Sequence, residues 1–330
     1  MSKDKQAQPD GAGATEDLGD LDRMLAAAGS ETDTGEEARF GYVALIGRPN
    51  VGKSTLMNQL LGQKVSIVTY KPQTTRQRIA GIKTTREGQV VYLDTPGIHA
   101  SAGRALNRYM NRVAKATFRD VEAVLFLLEA GRWTRQDRAI SKLLAQLDIP
   151  VFLVINKVDT LDNKQDLLSY VQEVTQDHEY AEVLMISALK NQGVEELEQR
   201  VLERLPFSMP FYDEDQITDR SERFLAAEFL REALTLRLHQ ELPYSLTVVI
   251  EQFTRQGEVV HIHAIIWVER DSQKQIVIGK GGQVLKQIGR DARKALEELL
   301  GEKVFLQTWV KVSKDWSRSE RMLERMGFDD

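Results

Sequence analysis

The chain has 330 residues, 42% of them hydrophobic and 28% charged, which is long enough for two domains of ordinary size. The absence of cysteine excludes disulfides and thiolate metal sites, and the five histidines show no paired metal-ligand spacing, so any metal is a hard ion bound by oxygen. The sequence contains no apolar stretch of about 20 residues and no signal-peptide core, so we expect a cytoplasmic protein.

The formal net charge of −5 is distributed unevenly along the chain. Residues 1–39 carry a net charge of −6, so the rest of the chain carries +1, and residues 270–318 carry +5. Because residues 1–38 are acidic and contain few apolar side chains, we predict a disordered extension, with a short helix at residues 21–28 as an option. The basic region near the C-terminus indicates phosphate binding, although a solvated helix face fits the charge equally well.

Residues 39–205 alternate short apolar runs with amphipathic stretches of helical length. The runs are YVALIG, VVYLDT, AVLFLLEA, VFLVINK and EVLMISA. Strands that are apolar on both faces and separated by helices are typical of a parallel sheet with helices on both sides. We therefore predict an α/β domain with a doubly wound, mostly parallel sheet.

A phosphate-binding loop, the P-loop, follows the first run. Residues 47–54 read GRPNVGKS, which matches the pattern G-x-x-x-x-G-K-S between a strand and a helix and predicts the P-loop NTPase fold. Backbone N–H groups of such a loop surround phosphate oxygens, Lys53 adds a charge, and the Ser54 hydroxyl is a ligand for Mg²⁺. The predicted phosphate-binding residues here are Gly47, Arg48, Pro49, Asn50, Val51, Gly52, Lys53, Ser54 and Thr55.

Two later segments complete the predicted phosphate site. In DTPG at residues 94–97, Asp94 is expected to hold Mg²⁺ through water and the Gly97 N–H to reach the γ-phosphate. In the polar loop at residues 69–78, one threonine must complete the Mg²⁺ shell, and we favour Thr75 over Thr74; an ordinary surface loop is the alternative. The predicted catalytic residues are Lys53, Thr75, Asp94 and Gly97.

Two motifs after later strands predict that the base is guanine. In NKVD at residues 156–159, Asp159 can accept from both the ring N–H and the exocyclic amine of guanine. Lys157 is expected to pack its stem along the base, Asn156 to tie this loop to the P-loop, and the Ala188 N–H to meet guanine O6. The order of the motifs along the chain makes the combination specific, and the predicted guanine-binding residues are Asn156, Lys157, Asp159, Ser187, Ala188 and Leu189.

The sequence lacks the residue that orients the attacking water in many GTPases. GTPases of the Ras type place a water-orienting Gln after the glycine of the third motif, where this chain has Ile98. We therefore expect catalysis by positioned charge, with Asn50 as a candidate ligand for a K⁺ ion in place of an arginine finger. Arg48, Arg76 and Arg78 are near, but as loop arginines we expect them to be solvated and do not count them as catalytic.

A second domain is predicted at residues 222–330, after a Pro-containing linker at residues 206–221. The pattern gives a helix, two strands around Gln256 and Gly257, two helices within residues 275–300 and a closing strand at residues 303–312. The order α-β-β-α-α-β indicates a small α+β domain with helices on one face of a three-stranded sheet.

The two helices are joined by G-x-x-G, the loop with which KH domains clamp about four nucleotides of single-stranded RNA. The predicted RNA-binding residues are Ile278, Gly279, Lys280, Gly281, Gly282, Lys286 and Arg290. Trp309 and Trp316 are candidate stacking platforms, although packed or edge-packed aromatics are the favoured interpretation.

Taken together, GRPNVGKST, KPQTTR, DTPG, NKVD and SAL, followed by VIGKGG, resemble the Era family of bacterial ribosome-associated GTPases over about residues 40–328. The stretches ALNRYMNRVA and FRDVEAVLFLLEA also resemble that family. The resemblance implies a type II KH domain, binding to the 3′ end of 16S ribosomal RNA, and a role in 30S subunit maturation. Peripheral association with the inner membrane face is described for the family, and no feature of this sequence requires it. We expect a monomer.

Two alternatives stay open at this point. One is a signalling GTPase whose effector is a protein or the membrane, with the C-terminal domain as a docking module. The other is a nucleotide-binding protein that never hydrolyses its ligand.

Overall fold

The computed structural model describes residues 38–330 except residues 72, 98–104, 118–119, 162–163, 177–178, 239–241 and 329–330. The predicted acidic extension, with its helix option, therefore lies outside the described residues apart from Ala38. The described part of the chain contains a six-stranded and a three-stranded sheet. Among the helices in those ranges, none is long and apolar enough to cross a membrane.

The larger sheet has the strand order β2-β3-β1-β4-β5-β6 and is parallel except for β2, which pairs antiparallel with β3. Its strands are β1 (Arg39–Ile46), β2 (Ile79–Thr84), β3 (Gly88–Asp94), β4 (Ala123–Glu129), β5 (Val151–Asn156) and β6 (Glu182–Met185). The helices of this half are α1 (Lys53–Leu61), α2 (Ala105–Ala116), α3 (Arg135–Leu144), α4 (Lys164–Thr175) and α5 (Val194–Arg204). The predicted mostly parallel sheet is confirmed; the edge strand β2 was not predicted, because its six residues IAGIKT form no long apolar run.

Strands β1 and β4 form the centre of this sheet. The side chains from Val43 to Ile46 and from Val124 to Leu128 are completely buried, with an apolar cluster on each face of the sheet. Burial on both faces explains why these strands are apolar at consecutive positions. The loops that follow β1, β3, β5 and β6 leave the sheet at its carboxyl edge, and each carries one of the predicted nucleotide motifs.

The smaller sheet has the order β7-β8-β9. Its strands are β7 (Leu246–Gln256), β8 (Val259–Val268) and β9 (Lys303–Val312), and its helices are α6 (Glu222–Arg237), α7 (Asp271–Ile278) and α8 (Gln283–Leu300). Strands β7 and β8 form an antiparallel hairpin and β9 runs parallel to β8. One apolar cluster joins the three helices to the sheet. The predicted α-β-β-α-α-β order and α+β class are confirmed.

The chain end beyond β9 forms a short 3₁₀ turn at Trp316–Arg318 and the helix α9 (Glu320–Arg325). Trp316 is completely buried, and its indole N–H donates to the Ser245 carbonyl at 3.1 Å. Because it is buried, Trp316 belongs to the core, and truncating a buried tryptophan to alanine typically costs about 3–5 kcal/mol. Trp309 is 43% exposed and lies edge-on to His263, with ring centroids 5.4 Å apart.

Candidate nucleotide and nucleic-acid sites

A cleft of about 360 Å³ lies at the carboxyl edge of the larger sheet. Residues from every predicted nucleotide motif line it, including Gly52, Lys53, Thr75, Gly97, Asp159 and Ala188. Other predicted residues are buried behind this lining, namely Gly47, Arg48, Val51, Asp94 and Ser187. The fold thus gathers segments that are far apart in sequence around one cavity. Ile98, the residue at the Gln position, lies outside the described residues.

The two basic side chains of the P-loop, Arg48 and Lys53, point in different directions. The Lys53 ammonium donates to the carbonyls of Gly47 at 3.1 Å and Arg48 at 3.3 Å, folded against the loop. Burial lowers the pKa of Lys53 to about 8; Asp94 acts to raise it and Arg48 lowers it further. The Arg48 side chain points away from the cleft and bonds to Glu129 and Asp137. The expectation that Arg48 is a solvated loop arginine is therefore wrong.

Three hydroxyl groups converge on one oxygen of the Asp94 carboxylate. Ser54, Ser66 and Thr75 donate to its Oδ2 at 2.6, 2.8 and 3.1 Å. Asp94 is completely buried, and its Oδ1 has no hydrogen-bond partner. Thr74 also lines the cleft, but its hydroxyl donates to the Lys71 carbonyl at 2.6 Å. The structure thus brings Thr75 to Ser54 and Asp94, and it adds Ser66, which no sequence motif marks.

This oxygen cluster fits a hard divalent cation. Ser54 and Thr75 lie 3.0 Å apart through their hydroxyls, next to the Asp94 carboxylate. Within the described ranges, no group of three or more His, Asp or Glu side chains could hold a metal by itself. A cation here would therefore need further oxygen ligands from a bound phosphate or water, which is how Mg²⁺ binds at nucleotide sites.

Asn156 connects the guanine loop to the P-loop. Its amide donates to the Val51 carbonyl at 2.8 Å, and its Oδ1 accepts the Ala188 N–H at 2.9 Å. Gly52 has φ +104, and a Cβ there would stand 2.3 Å from the Asn156 Nδ2, so only glycine allows this approach. The Ala188 N–H is already bonded, so a guanine O6 would have to share this donor. Asp159 is exposed at the mouth of the cleft.

The polar loop at residues 69–78 is bonded to the part of the chain that holds the smaller sheet, which we call the second half of the molecule (residues 222–330). Arg76 is only 2% exposed and donates to the carbonyls of Leu246 at 2.7 Å and Pro243 at 2.9 Å. Arg231 on α6 donates to the Thr74 carbonyl. The expectation that Arg76 is solvated is therefore wrong; its burial depends on residues about 170 positions away and could not be read from the loop itself.

Further bonds hold this loop and the residues just before it against α6. Buried Glu232 accepts the Val68 N–H at 2.8 Å and pairs with Lys64. Lys71 is buried as well, and its ammonium donates to the Thr235 carbonyl at 2.7 Å and to the Leu238 carbonyl. Charged groups of this kind are stable in the interior only when they are paired or hydrogen-bonded, so these contacts define one conformation of the loop.

The predicted RNA loop lies between α7 and α8. Gly279, Gly281 and Gly282 all have positive φ, at 73°, 59° and 75°. A Cβ at Gly279 would stand 2.3 Å from Val284, whereas a Cβ at Gly281 would meet no atom within 4 Å. Next to this loop, a groove of about 540 Å³ runs between α8 and β9. Its lining includes Gly282, Lys286, Arg290, Arg293, Phe305 and Thr308.

The other predicted residues of the RNA loop divide into two kinds. Lys280 is exposed, in keeping with a role at the loop surface. Ile278 is partly buried and packs against the apolar cluster of the second half, so it supports the loop from below.

Comparisons with known proteins agree with this geometry. Residues 42–157 match a family model described as 50S ribosome-binding GTPase, and residues 241–317 match the KH domain model. The GTPase Era of Pseudomonas aeruginosa is 50% identical over 293 residues, which cover 89% of this chain and 96% of that protein. The GTPase Era of Stenotrophomonas maltophilia is 52% identical over 289 residues, or 88% of this chain and 97% of that protein.

Two solved structures are similar over nearly the whole described chain. One is a point variant of Aquifex aeolicus Era bound to GDP·AlF₄⁻, with a TM-score of 0.85, 39% identity, and coverage of 88% of this chain and all of that one. The other is Era in complex with MgGDPNP and nucleotides 1506–1542 of 16S ribosomal RNA, with a TM-score of 0.86, 39% identity, and coverage of 89% of this chain and all of that one.

Replacing Thr75 by alanine tests whether Thr75 or Thr74 is the Mg²⁺ ligand. We expect Thr75→Ala to weaken binding of a nonhydrolysable GTP analogue in Mg²⁺ by about 10-fold and to slow hydrolysis, because one oxygen beside Asp94 is lost. GDP binding should change less than about twofold, since the role predicted for Thr75 depends on the γ-phosphate, which GDP lacks. Thr74→Ala is the matched control and should leave both affinities near wild type. An equal loss in the two variants would contradict the assignment.

Proposed function

The chain belongs to the Era family of GTPases, and from this we propose that it binds and hydrolyses GTP as a switch, binds the 3′ end of 16S ribosomal RNA, and assists maturation of the 30S subunit. The observation that carries the proposal is the single cleft formed by the P-loop, Asp94 and the guanine motifs, in a chain that also holds a G-x-x-G loop beside a basic groove. A related Era binds MgGDPNP and 16S ribosomal RNA together, which supports both halves of the proposal.

We assign Mg²⁺ as the cofactor, with Ser54 and Thr75 as ligands and Asp94 holding the ion through water. Held there, the ion would supply positive charge against the charge that develops on the phosphates during phosphoryl transfer. Lys53 would contribute its charge to the same oxygens, and the Gly97 N–H would meet the γ-phosphate. The packing of Gly97 against Pro49 supports this role, because a Cβ at Gly97 would stand 2.9 Å from the proline ring. Membership in a family of GTPases favours turnover over the non-hydrolysing alternative.

We propose that the nucleotide alters RNA binding through the polar loop. Thr75 lies beside the phosphate site, while its neighbours Thr74 and Arg76 bond to the second half of the molecule. With a γ-phosphate and Mg²⁺ bound, Thr75 would be held as a ligand, which would favour one arrangement of these bonds. We also propose a cytoplasmic location, because the proposed RNA partner is part of the ribosome. Peripheral membrane association and the monomeric state stay predictions.

Binding of RNA to the full-length chain separates this function from the signalling alternative. We expect a single-stranded oligoribonucleotide with the 3′-end sequence of 16S ribosomal RNA to bind in a salt-dependent manner, and Gly281→Asp to weaken binding by about 10-fold or more by placing a carboxylate against the RNA backbone. Space at Gly281 admits the side chain, and Asp tolerates its positive φ better than most residues. Gly281→Asn, of the same shape without the charge, is the control and should lose much less.

Wild-type protein that hydrolyses GTP but has no affinity for the oligoribonucleotide, or an affinity that Gly281→Asp does not change, would favour a protein or membrane effector.

We also propose a K⁺ ion at Asn50. This residue has φ +66 in the P-loop, and its amide donates to the Tyr70 carbonyl at 2.7 Å, so the phosphate loop and the polar loop meet there. A monovalent cation beside the phosphates would supply positive charge that no positioned arginine among the described residues provides. We expect GTP hydrolysis to be several-fold faster in KCl than in NaCl of equal concentration, and Asn50→Ala to remove the difference. Equal rates in the two salts would exclude the ion.

A further inference from the structure

Arg48 and two carboxylates form a buried charge network behind the P-loop. Arg48 is 7% exposed, and its Nε donates to the Asp137 Oδ2 at 3.2 Å while its Nη2 pairs with the Glu129 Oε2. Asp137 is completely buried in the first turn of α3, where its Oδ2 also accepts the N–H of Thr134 at 3.0 Å and its hydroxyl at 2.6 Å. The network is therefore fixed at the α3 end by a helix cap, which limits movement of Arg48.

Glu129 carries this network on to the guanine motif. The residue ends β4, beside Asn156 at the end of β5, and its second oxygen accepts the Lys157 ammonium at 3.1 Å. Burial acts to raise the pKa of Glu129, but hydrogen bonds from Arg48 and Lys157 and their charges outweigh it, so the pKa is lowered and the carboxylate is ionised near neutral pH. One carboxylate thus bridges a cation of the phosphate loop and a cation of the base loop.

The position of Lys157 gives this bridge a consequence for binding. Its backbone has φ +65, and its side chain lines the cleft next to Asp159. A free lysine side chain must be ordered when a ligand packs against its stem, whereas a lysine whose ammonium is already held has less conformational freedom to lose.

We propose that Glu129 is a positioning residue for guanine nucleotides: it holds Lys157 against the base and links it through Arg48 to the P-loop. The proposal deepens the proposed GTP site and rests on it. The contacts to the base are common to GDP and GTP, so Glu129 acts on ground-state binding and not on the chemical step. The alternative is a network that only stabilises the packing of β4 against α3.

The test is Glu129→Gln in the full-length chain, measured as affinity for GDP and for a nonhydrolysable GTP analogue, and as KM and kcat for GTP. We expect both affinities to fall by the same factor, about 3- to 10-fold, which corresponds to the cost of ordering one long side chain. KM should rise by that factor while kcat changes less than about twofold. Arg132→Gln is the matched control: it removes a 63% exposed arginine that lies 3.5 Å from the same carboxylate, and should leave KM near the wild-type value.

A double-mutant cycle with Lys157→Met separates positioning from packing. If Glu129 acts through Lys157, then Glu129→Gln has no further effect on GDP affinity in the Lys157→Met background. An equal loss in both backgrounds, or no loss in the wild-type background, would overturn the proposal. Glu129→Asp, which keeps the charge on a shorter side chain, carries the same cycle if the amide variant does not fold. Failure of the wild-type chain to bind GDP would instead refute the proposed GTP site.

Discussion

Two adjacent residues of the polar loop, Thr75 and Arg76, are bonded to different halves of the molecule, and the other features of the structure depend on this constraint. The Thr75 hydroxyl lies 3.1 Å from Asp94 at the end of the larger sheet, and the Arg76 guanidinium donates to two carbonyls that precede and begin β7 in the smaller sheet. A single peptide unit separates these contacts, so the loop cannot shift at the phosphate site without changing its bonds to the second half. This segment therefore links the nucleotide site directly to the part of the chain that holds the smaller sheet.

Buried polar groups explain why this segment has a defined conformation. Asp94 is completely buried with three hydroxyl donors on one oxygen and none on the other. Leaving a buried charged acceptor unsatisfied typically costs about 1–3 kcal/mol or more, which favours any ligand that supplies positive charge there. On α6, buried Arg231 donates to the loop, and buried Glu232 accepts the N–H of Val68, which directly precedes the loop. The loop is therefore held by groups that are costly to expose and costly to leave unpaired, a condition that favours discrete arrangements over gradual movement.

Local sequence patterns predicted the parts of the fold that are local in origin. Apart from strand β2, the order of strands and helices follows from periodicity, and the P-loop and the G-x-x-G loop follow from glycine spacing. Thr75 was favoured over Thr74 from its place in the loop, and the structure brings Thr75 to Asp94. Strand β2 was not predicted because its residues form no long apolar run; it pairs antiparallel with β3 at the edge of the sheet.

The contacts that sequence reasoning missed are those between segments far apart in the chain. Arg48 and Arg76 were expected to be solvated, because loop arginines usually are, yet each is buried by partners that only the folded chain supplies: Asp137 for Arg48 and Leu246 for Arg76. Ser66 was missed for the same reason, since its hydroxyl meets Asp94 from 28 positions away. A charged side chain is stable in the interior only with a bonding partner, so its burial cannot be predicted until that partner is known.

The most direct test of the central claim is the affinity of the full-length chain for the 3′-end oligoribonucleotide, measured with GDP and with a nonhydrolysable GTP analogue in Mg²⁺ at the same salt concentration. If the polar loop couples the two sites, the two affinities differ by about fivefold or more, within the usual range of allosteric coupling. Equal affinities in the two nucleotide states would contradict the account.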